Sequence, residues 1–144
     1  MEIAIVFGFL AQIILLAFFA ALRWRPALAP PMGLMVYGLG VPAAVFGGAG
    51  LVLGLEWPAM VAFGLYAVWS AFGAWIDVVR PIAWRMPPRL SILVPYALLL
   101  TASLIAFWVP LWDVDLRLWI AFGLLYVAHT TLNLASHRGS RTAR

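Results

Sequence analysis

The sequence predicts an all-α protein, an integral membrane bundle of five transmembrane helices with its N-terminus outside and its C-terminus in the cytoplasm. Of the 144 residues, 66% are hydrophobic and 10% are charged, and the mean hydropathy is +1.05. Soluble domains carry about 25% charged residues. Five apolar segments each approach the roughly 20 residues that cross a bilayer as a helix. The arginines also concentrate in alternate connections between these segments.

The five segments follow one another along a single domain, residues 1–136, and a polar tail occupies residues 137–144. Helices are expected in all of them because lipid offers the backbone no hydrogen-bond partners outside the segment. No basic region precedes the first segment, so we expect it to be retained and not cleaved as a signal peptide. The predicted spans are residues 3–22, 33–55, 58–79, 91–111 and 118–136.

The fourth and fifth segments are separated on physical grounds. Residues 91–136 would form a straight helix about 69 Å long, which is twice the thickness of a bilayer. The chain must therefore reverse direction within this range. Pro110 and the charged residues Asp113, Asp115 and Arg117 mark the reversal.

The arginines determine the predicted orientation. With the N-terminus outside, eight of the nine arginines fall on the inner side and only Arg117 falls outside, whereas Asp77 is the single acidic residue toward the inside. This asymmetry follows the positive-inside rule and predicts a multi-pass protein of the cytoplasmic (inner) membrane. The lipid bilayer is the expected partner. The same arginines explain the pI of about 10.4, so no nucleic-acid partner is predicted.

The second segment is rich in small residues at a four-residue spacing. Gly40, Ala44 and Gly48 form one such series, and Gly50 and Gly54 form another. Small residues at this spacing let helices approach closely in lipid. They predict packing within the bundle or a seam for a homo-oligomer or a larger membrane complex. The proline between Gly40 and Ala44 is expected to kink the helix.

Polar residues within apolar segments are costly, so each is a candidate functional residue. Two groups share one helical face each. They are Tyr66, Ser70 and Asp77 in the third segment, and Tyr126, His129 and Asn133 in the fifth. Asp77 is about 4–5 Å from the inner boundary and Asn133 about 6 Å. Because these depths match, we expect the two faces to line one cavity that serves as a ligand or proton pathway.

Structural roles for these residues remain open. Asp77 and Arg80 are three residues apart and can form an ion pair on the helix surface. His129 can serve only to donate a hydrogen bond to a carbonyl of a neighbouring helix. Haem ligation by His129 is the weaker alternative, because no second axial histidine is evident on another helix.

The composition excludes several kinds of chemistry. The absence of cysteine excludes disulfides and thiolate metal sites. The absence of lysine excludes the Schiff bases of retinal and pyridoxal phosphate. Asp77 and His129 alone are too few for a metal site, which usually has three or four ligands. No cofactor and no metal are therefore predicted.

Two functions follow from these observations. The first is a small polytopic membrane protein that binds or transports a small or hydrophobic molecule through a polar-lined cavity between helices 3 and 5. The alternative is an accessory subunit of a larger respiratory, photosynthetic or transport complex in the membrane. A membrane enzyme is the weakest hypothesis, because the sequence contains none of the common nucleophile, metalloprotease or phosphate-loop motifs.

The last helix, GLLYVAHTTLNLASHR, resembles the closing helix of the tryptophan-rich sensory/translocator protein family. Pro30-Pro31 before the second helix is similar to that family as well. The resemblance implies a five-helix bundle with an outside N-terminus. The chain departs from the family in its short first connection of nine residues, Arg23 to Pro31, and in Trp75-Ile76-Asp77, which stands in place of a Trp-Pro pattern. The sequence is therefore not assigned to that family.

Overall fold

The computed structural model describes the backbone of residues 1–82 and 89–139, and the side chains up to residue 135. Trp84, Arg85, Arg141 and Arg144 lie outside the described residues. Within the described ranges, all regular structure is helical. Five helical stretches are long and apolar enough to cross a membrane, which confirms the predicted helical class and the number of apolar helices. They are Glu2–Trp24, Pro26–Gly48, Trp57–Val79, Leu90–Val114 and Leu116–Ala135.

These stretches comprise seven α-helices and two shorter turns in the described part of the chain. A 3₁₀ turn, Pro26–Leu28, precedes α2, and a π-helical turn, Trp75–Val79, continues α4. The helices are α1 (Glu2–Trp24), α2 (Ala29–Gly38), α3 (Gly40–Gly48), α4 (Trp57–Ala74), α5 (Leu90–Trp108), α6 (Leu111–Val114) and α7 (Leu116–Gly139).

The second apolar stretch begins and ends earlier than predicted. The predicted range is residues 33–55, and the structure has Pro26–Gly48. Pro30 and Pro31 lie in the first turn of α2, where the missing N–H has no intrahelical partner in any case. The chain leaves the helix after Gly48 and turns at Gly54, whose φ of +66° is a left-handed conformation that favours glycine.

This stretch is also interrupted at Leu39, which separates α2 from α3. Pro42 follows three residues later. Its ring clashes with the carbonyl four residues before it, that of Gly38, and it has no N–H to donate there. The kink expected from the proline is therefore found as an interruption of the helix.

The helices pack in two groups that share an aromatic core. α1 packs along α7 and α2, and α4 packs between α3 and α5. Phe7 of α1 contacts Phe63 and Tyr66 of α4 at ring-centroid distances of 5.1 and 5.2 Å, and Phe107 of α5 lies 5.3 Å from Phe63. Most of these rings meet edge to face, a favourable arrangement for aromatic pairs.

The two ends of the bundle differ in charge. Met1, Glu56 and Asp113 line one cleft, so the start of α1, the start of α4 and the end of the fourth stretch lie together at what we call the Asp113 end. The opposite end, the Arg80 end, carries the exposed side chains of Arg80 and Arg89. The helix stops there because Pro81 disfavours a helical conformation at Arg80, whose φ of −129° and ψ of 80° lie outside the helical region.

Candidate functional site

Two tyrosines and an aspartate from three helices meet near the Arg80 end, and we call them the Tyr37–Asp77–Tyr96 cluster. The Tyr37 hydroxyl of α2 donates a hydrogen bond to Asp77 Oδ2 at 2.5 Å. The Tyr96 hydroxyl of α5 lies 3.2 Å from the Tyr37 hydroxyl, within hydrogen-bond distance. All three side chains are half-buried. The Tyr37 hydroxyl thus links the second apolar stretch to Asp77 of the third and to Tyr96 of the fourth.

The hydroxyl groups of α4 hold α2 beside this cluster. Ser70 donates to the Tyr37 carbonyl at 2.6 Å, and Tyr66 donates to the Val36 carbonyl at 3.3 Å. Both carbonyls lie next to the interruption at Leu39, where the regular ladder of helical hydrogen bonds ends. Tyr66 and Ser70, predicted as pathway residues, are therefore engaged with the backbone of α2, and a role in binding a ligand stays a prediction.

Two glycines permit the close approach on which the cluster depends. A Cβ atom on Gly73 would overlap the ring of Tyr37, and a Cβ atom on Gly40 would overlap the Ser70 hydroxyl. Any side chain at Gly73 would push Tyr37 away from Asp77, which lies four residues farther along the same helix. The small residues are thus part of the geometry that brings the cluster together.

Trp69 lies against both tyrosines of the cluster. Its ring centroid is 5.8 Å from that of Tyr37 and 5.5 Å from that of Tyr96. The side chain is fully buried, and its indole Nε1 has no hydrogen-bond partner among the described residues. A buried donor without a partner is uncommon and costly. The cluster therefore contains a polar group that the described protein atoms do not satisfy.

Asp77 belongs to a π-helical turn and not to a regular α-helix. The Arg80 N–H donates to the Trp75 carbonyl at 2.8 Å, a bond that spans five residues. Short π-helical segments are rare and often occur at functional sites. The Arg80 guanidinium lies 5.6 Å from the ring centroid of Trp75, a cation–π distance. In the structure the Arg80 guanidinium thus contacts the Trp75 ring, and the Asp77 carboxylate accepts a hydrogen bond from Tyr37. The function of Asp77 stays a prediction.

The predicted polar face of the fifth helix has different surroundings. His129 is 3% exposed, stacks on Phe19 of α1 at 6.2 Å and contacts Tyr126 edge to face at 5.2 Å. Its Nδ1 lies 3.2 Å from the Leu125 carbonyl oxygen of its own helix. Because a carbonyl only accepts, a hydrogen bond here requires the tautomer with the proton on Nδ1. Asn133 follows one helical turn later on α7.

The two predicted faces have different described neighbours, and a shared cavity stays a prediction. α4 packs mainly against α3 and α5, and α7 packs mainly against α1. Asp77 accepts a hydrogen bond from Tyr37 of the second stretch, whereas His129 contacts Phe19 of α1 and residues of its own helix. The expectation of one cavity between helices 3 and 5 requires these helices to be direct neighbours. The contacts of the described residues give them other principal partners.

The residues of the predicted small-residue series are buried in some cases and exposed in others. Gly40 is buried against Ser70, and Gly50 is buried beside Met60 in the turn after α3. Ala44 and Gly48 are exposed, and at Gly54, in the turn, a Cβ atom would meet nothing within 4 Å. Packing inside the bundle uses one edge of α3, and the opposite edge faces outward.

Sequence reasoning missed Tyr37 and Tyr96. Each is an isolated polar residue in an apolar stretch, like the candidate residues of the third and fifth segments. Within its apolar stretch, neither shares a helical face with a second ionisable group, so the spacing pattern does not mark them. Their depth within the apolar stretches could have marked them as candidate residues. Tyr96, for example, lies seven residues, or about 10 Å, beyond Arg89.

Comparison with protein-family models, with curated proteins and with solved structures gave no match for this chain. The functional interpretation therefore depends on the geometry and chemistry of its own residues.

Proposed function

We propose that this protein is a five-span protein of the inner membrane, with its N-terminus outside, that binds a small organic cation at the Tyr37–Asp77–Tyr96 cluster. The observation that carries the proposal is the meeting of three helices at the Tyr37 hydroxyl, which donates to the Asp77 carboxylate and lies 3.2 Å from the Tyr96 hydroxyl. Ionisable residues within membrane spans are rare and are usually functional.

Charge supports the proposed orientation. The arginines Arg23, Arg25, Arg80 and Arg89 all belong to the Arg80 end and are exposed. The opposite end has Glu2, Glu56, Asp113 and Asp115, together with Arg117. Under the positive-inside rule the Arg80 end is cytoplasmic. The ligand site would then lie close to the cytoplasmic face.

The chemistry of the cluster favours a positively charged ligand with an apolar part. Asp77 provides a carboxylate, and the faces of Tyr37, Tyr96 and Trp69 provide aromatic surface. Carboxylates and aromatic faces together are the usual recognition elements for ammonium groups. A ligand ammonium would compete with Tyr37 for Asp77, so binding would loosen a bond between helices. That coupling gives a route from binding to transport.

A thermal-shift experiment on the full chain in lipid nanodiscs tests this proposal. The probes are phenethylammonium, a cation with N–H donors, and tetraphenylphosphonium, a cation without them. We expect phenethylammonium to raise the unfolding temperature of the wild type and of Asp113→Asn, but not of Asp77→Asn. Asp113 is the matched control because it is an exposed carboxylate at the other end.

The outcomes separate the parts of the proposal. A response to both probes would mean that positive charge suffices, and a response to phenethylammonium alone would mean that the N–H donor is needed. An equal shift in Asp77→Asn and the wild type would contradict the assignment of Asp77. If neither probe shifts the wild type, binding of an organic cation is wrong.

A second candidate function, an accessory subunit of a larger membrane complex, is favoured by the outward edge of α3. Val41, Ala44, Val45 and Gly48 are all exposed there and form an apolar surface with little side-chain bulk. Such surfaces suit helix–helix contact in lipid. Gentle extraction from the native membrane followed by sizing tests this function. Co-purifying chains that Ala44→Leu removes would support it, and a single small species would contradict it.

A further inference from the structure

We infer that Gln12, at the centre of the bundle, holds buried water shared with Ser103 of α5. Gln12 lies halfway along α1 and is 0% exposed. Neither its Nε2 nor its Oε1 has a hydrogen-bond partner in the described structure. Gln12 belongs to a different part of the molecule from the Tyr37–Asp77–Tyr96 cluster, so a water site there does not depend on the proposed function.

The unpaired amide is a strong anomaly. A glutamine side chain offers two N–H donors and a carbonyl oxygen with two lone pairs. Fully buried amides in native proteins are nearly always hydrogen-bonded to protein or to ordered water. An amide at this depth is also far from bulk water, since α1 extends about 15 Å on either side of it. Some partner must therefore reach it inside the bundle.

The helix register identifies the polar groups at the same level. Gly8 of α1 faces Phe107 of α5 and Phe122 of α7, because a Cβ atom on Gly8 would lie 3.2 and 3.1 Å from those side chains. Residues four apart on a helix lie on one face, one turn apart. One turn from Gly8 toward the Arg80 end is Gln12, and one turn from Phe107 in the same direction is Ser103.

The third helix of this layer contributes a tyrosine. One turn beyond Phe122 on α7 is Tyr126, whose ring stacks on Trp108 of α5 at 6.0 Å. The register thus places Gln12, Ser103 and Tyr126 in one layer between apolar layers. This layer has one polar residue from each of three helices, whereas the layer around Phe7 and Phe107 is aromatic.

Ser103 is suited to share water with the amide. It is 0% exposed, and its hydroxyl donates to the Leu100 carbonyl of its own helix at 2.8 Å. With its proton used in this way, its oxygen still has lone pairs that accept from water. A buried water needs two to four polar partners, which the Gln12 amide and the Ser103 oxygen supply. Water is also the one polar ligand present in every preparation of the protein.

The sequence permits a direct test because Gln12 is the only glutamine and Asn133 the only asparagine. Labelling with side-chain ¹⁵N-glutamine gives a single amide signal in the full chain in lipid vesicles. Solid-state NMR then measures magnetisation transfer from water to that amide. We expect transfer to the Gln12 NH₂, and we expect Ser103→Ala to weaken it.

A stability measurement makes the inference falsifiable in a second way. Gln12→Met removes the amide but nearly keeps its volume, and Leu15→Met is the control for repacking on the same buried face. If water bonds the amide, Gln12→Met lowers the folding equilibrium constant about fivefold to tenfold more than Leu15→Met does. A Gln12→Met protein more stable than the wild type would mean that the amide has no partner, because an unpaired buried amide is costly.

One further result would also overturn the inference. If water transfers no magnetisation to the amide while Gln12→Met and Ser103→Ala both destabilise the protein non-additively, the two side chains bond to each other directly. If no magnetisation passes from water to the Gln12 amide, the water site is therefore contradicted, whatever the stability measurements give.

Discussion

Polar side chains are used differently in the two halves of the bundle. Where α2 packs against α4 and its π-helical turn, hydroxyl groups bond across helices: Tyr37 to Asp77, and Ser70 to the Tyr37 carbonyl. On α7, the side chains of His129 and Thr131 bond back to their own helix, at the Leu125 and Val127 carbonyls. Bonds between helices assemble groups from several segments, and bonds within a helix do not.

The cause of this difference lies in the second apolar stretch. Pro42 interrupts it at Leu39, and the carbonyls just before the interruption accept bonds from α4. In the uninterrupted helix α7, the carbonyl described as accepting from another helix is that of Trp119, in the second turn, which bonds the Trp108 indole of α5. A break in one helix thus allows neighbouring helices to form a polar site with it. Substitutions in both halves of the bundle test this link between the break and the polar site.

The largest expected effect comes from filling the space beneath Tyr37. Gly73→Leu would overlap the Tyr37 ring, so we expect it to destabilise the protein by about 3 kcal/mol or to prevent folding. Gly48→Leu is the matched control, because Gly48 has open space around it and should change stability little. Unfolding in detergent with increasing dodecyl sulfate measures both. Equal effects of the two substitutions would mean that Tyr37 does not pack against Gly73.

A smaller effect is expected from removing the hydroxyl that binds Asp77. Tyr37→Phe keeps the ring but loses a hydrogen bond to a carboxylate, so we expect a loss of about 1–2 kcal/mol. Tyr66→Phe loses only a 3.3 Å bond to a carbonyl and should lose less. The same unfolding assay compares them. If Tyr66→Phe lost more stability than Tyr37→Phe, the bond from Tyr66 to the Val36 carbonyl, and not the bond to Asp77, would be the stronger link between α2 and α4.

A still smaller effect is expected in the other half. His129→Leu removes the stacking on Phe19 and the contact with Tyr126, so a loss of about 1 kcal/mol in unfolding free energy is expected. Dodecyl sulfate unfolding measures it as before. A loss above about 3 kcal/mol would indicate a buried polar partner for the imidazole and not stacking alone.

The smallest effect is expected at the edge of the cluster. Arg80→Gln removes a partly exposed cation–π contact with Trp75, which contributes about 0.5 kcal/mol. Arg89→Gln is the control for charge alone. We expect the emission of Trp75 to change when the guanidinium leaves, so the Arg80 variant should shift the emission spectrum and the control should not.

The all-helical class and the number of apolar helices could be predicted because lipid permits few alternatives. The bounds of the second stretch could not, since Pro30 and Pro31 occur equally well before a helix or in its first turn. The cluster could not be predicted either. Asp77 is marked by its charge, but Tyr37 and Tyr96 reach it only through the order in which helices pack, and periodicity within one helix carries no information about its neighbours.

The decisive comparison is the affinity of the full chain in nanodiscs for phenethylammonium, measured for the wild type, Asp77→Asn and His129→Leu. If the Tyr37–Asp77–Tyr96 cluster alone forms the site, Asp77→Asn weakens binding at least tenfold, about 1.4 kcal/mol, and His129→Leu leaves it unchanged. Equal weakening by both substitutions would contradict a site formed by the cluster alone and would support a cavity that joins the third and fifth helices.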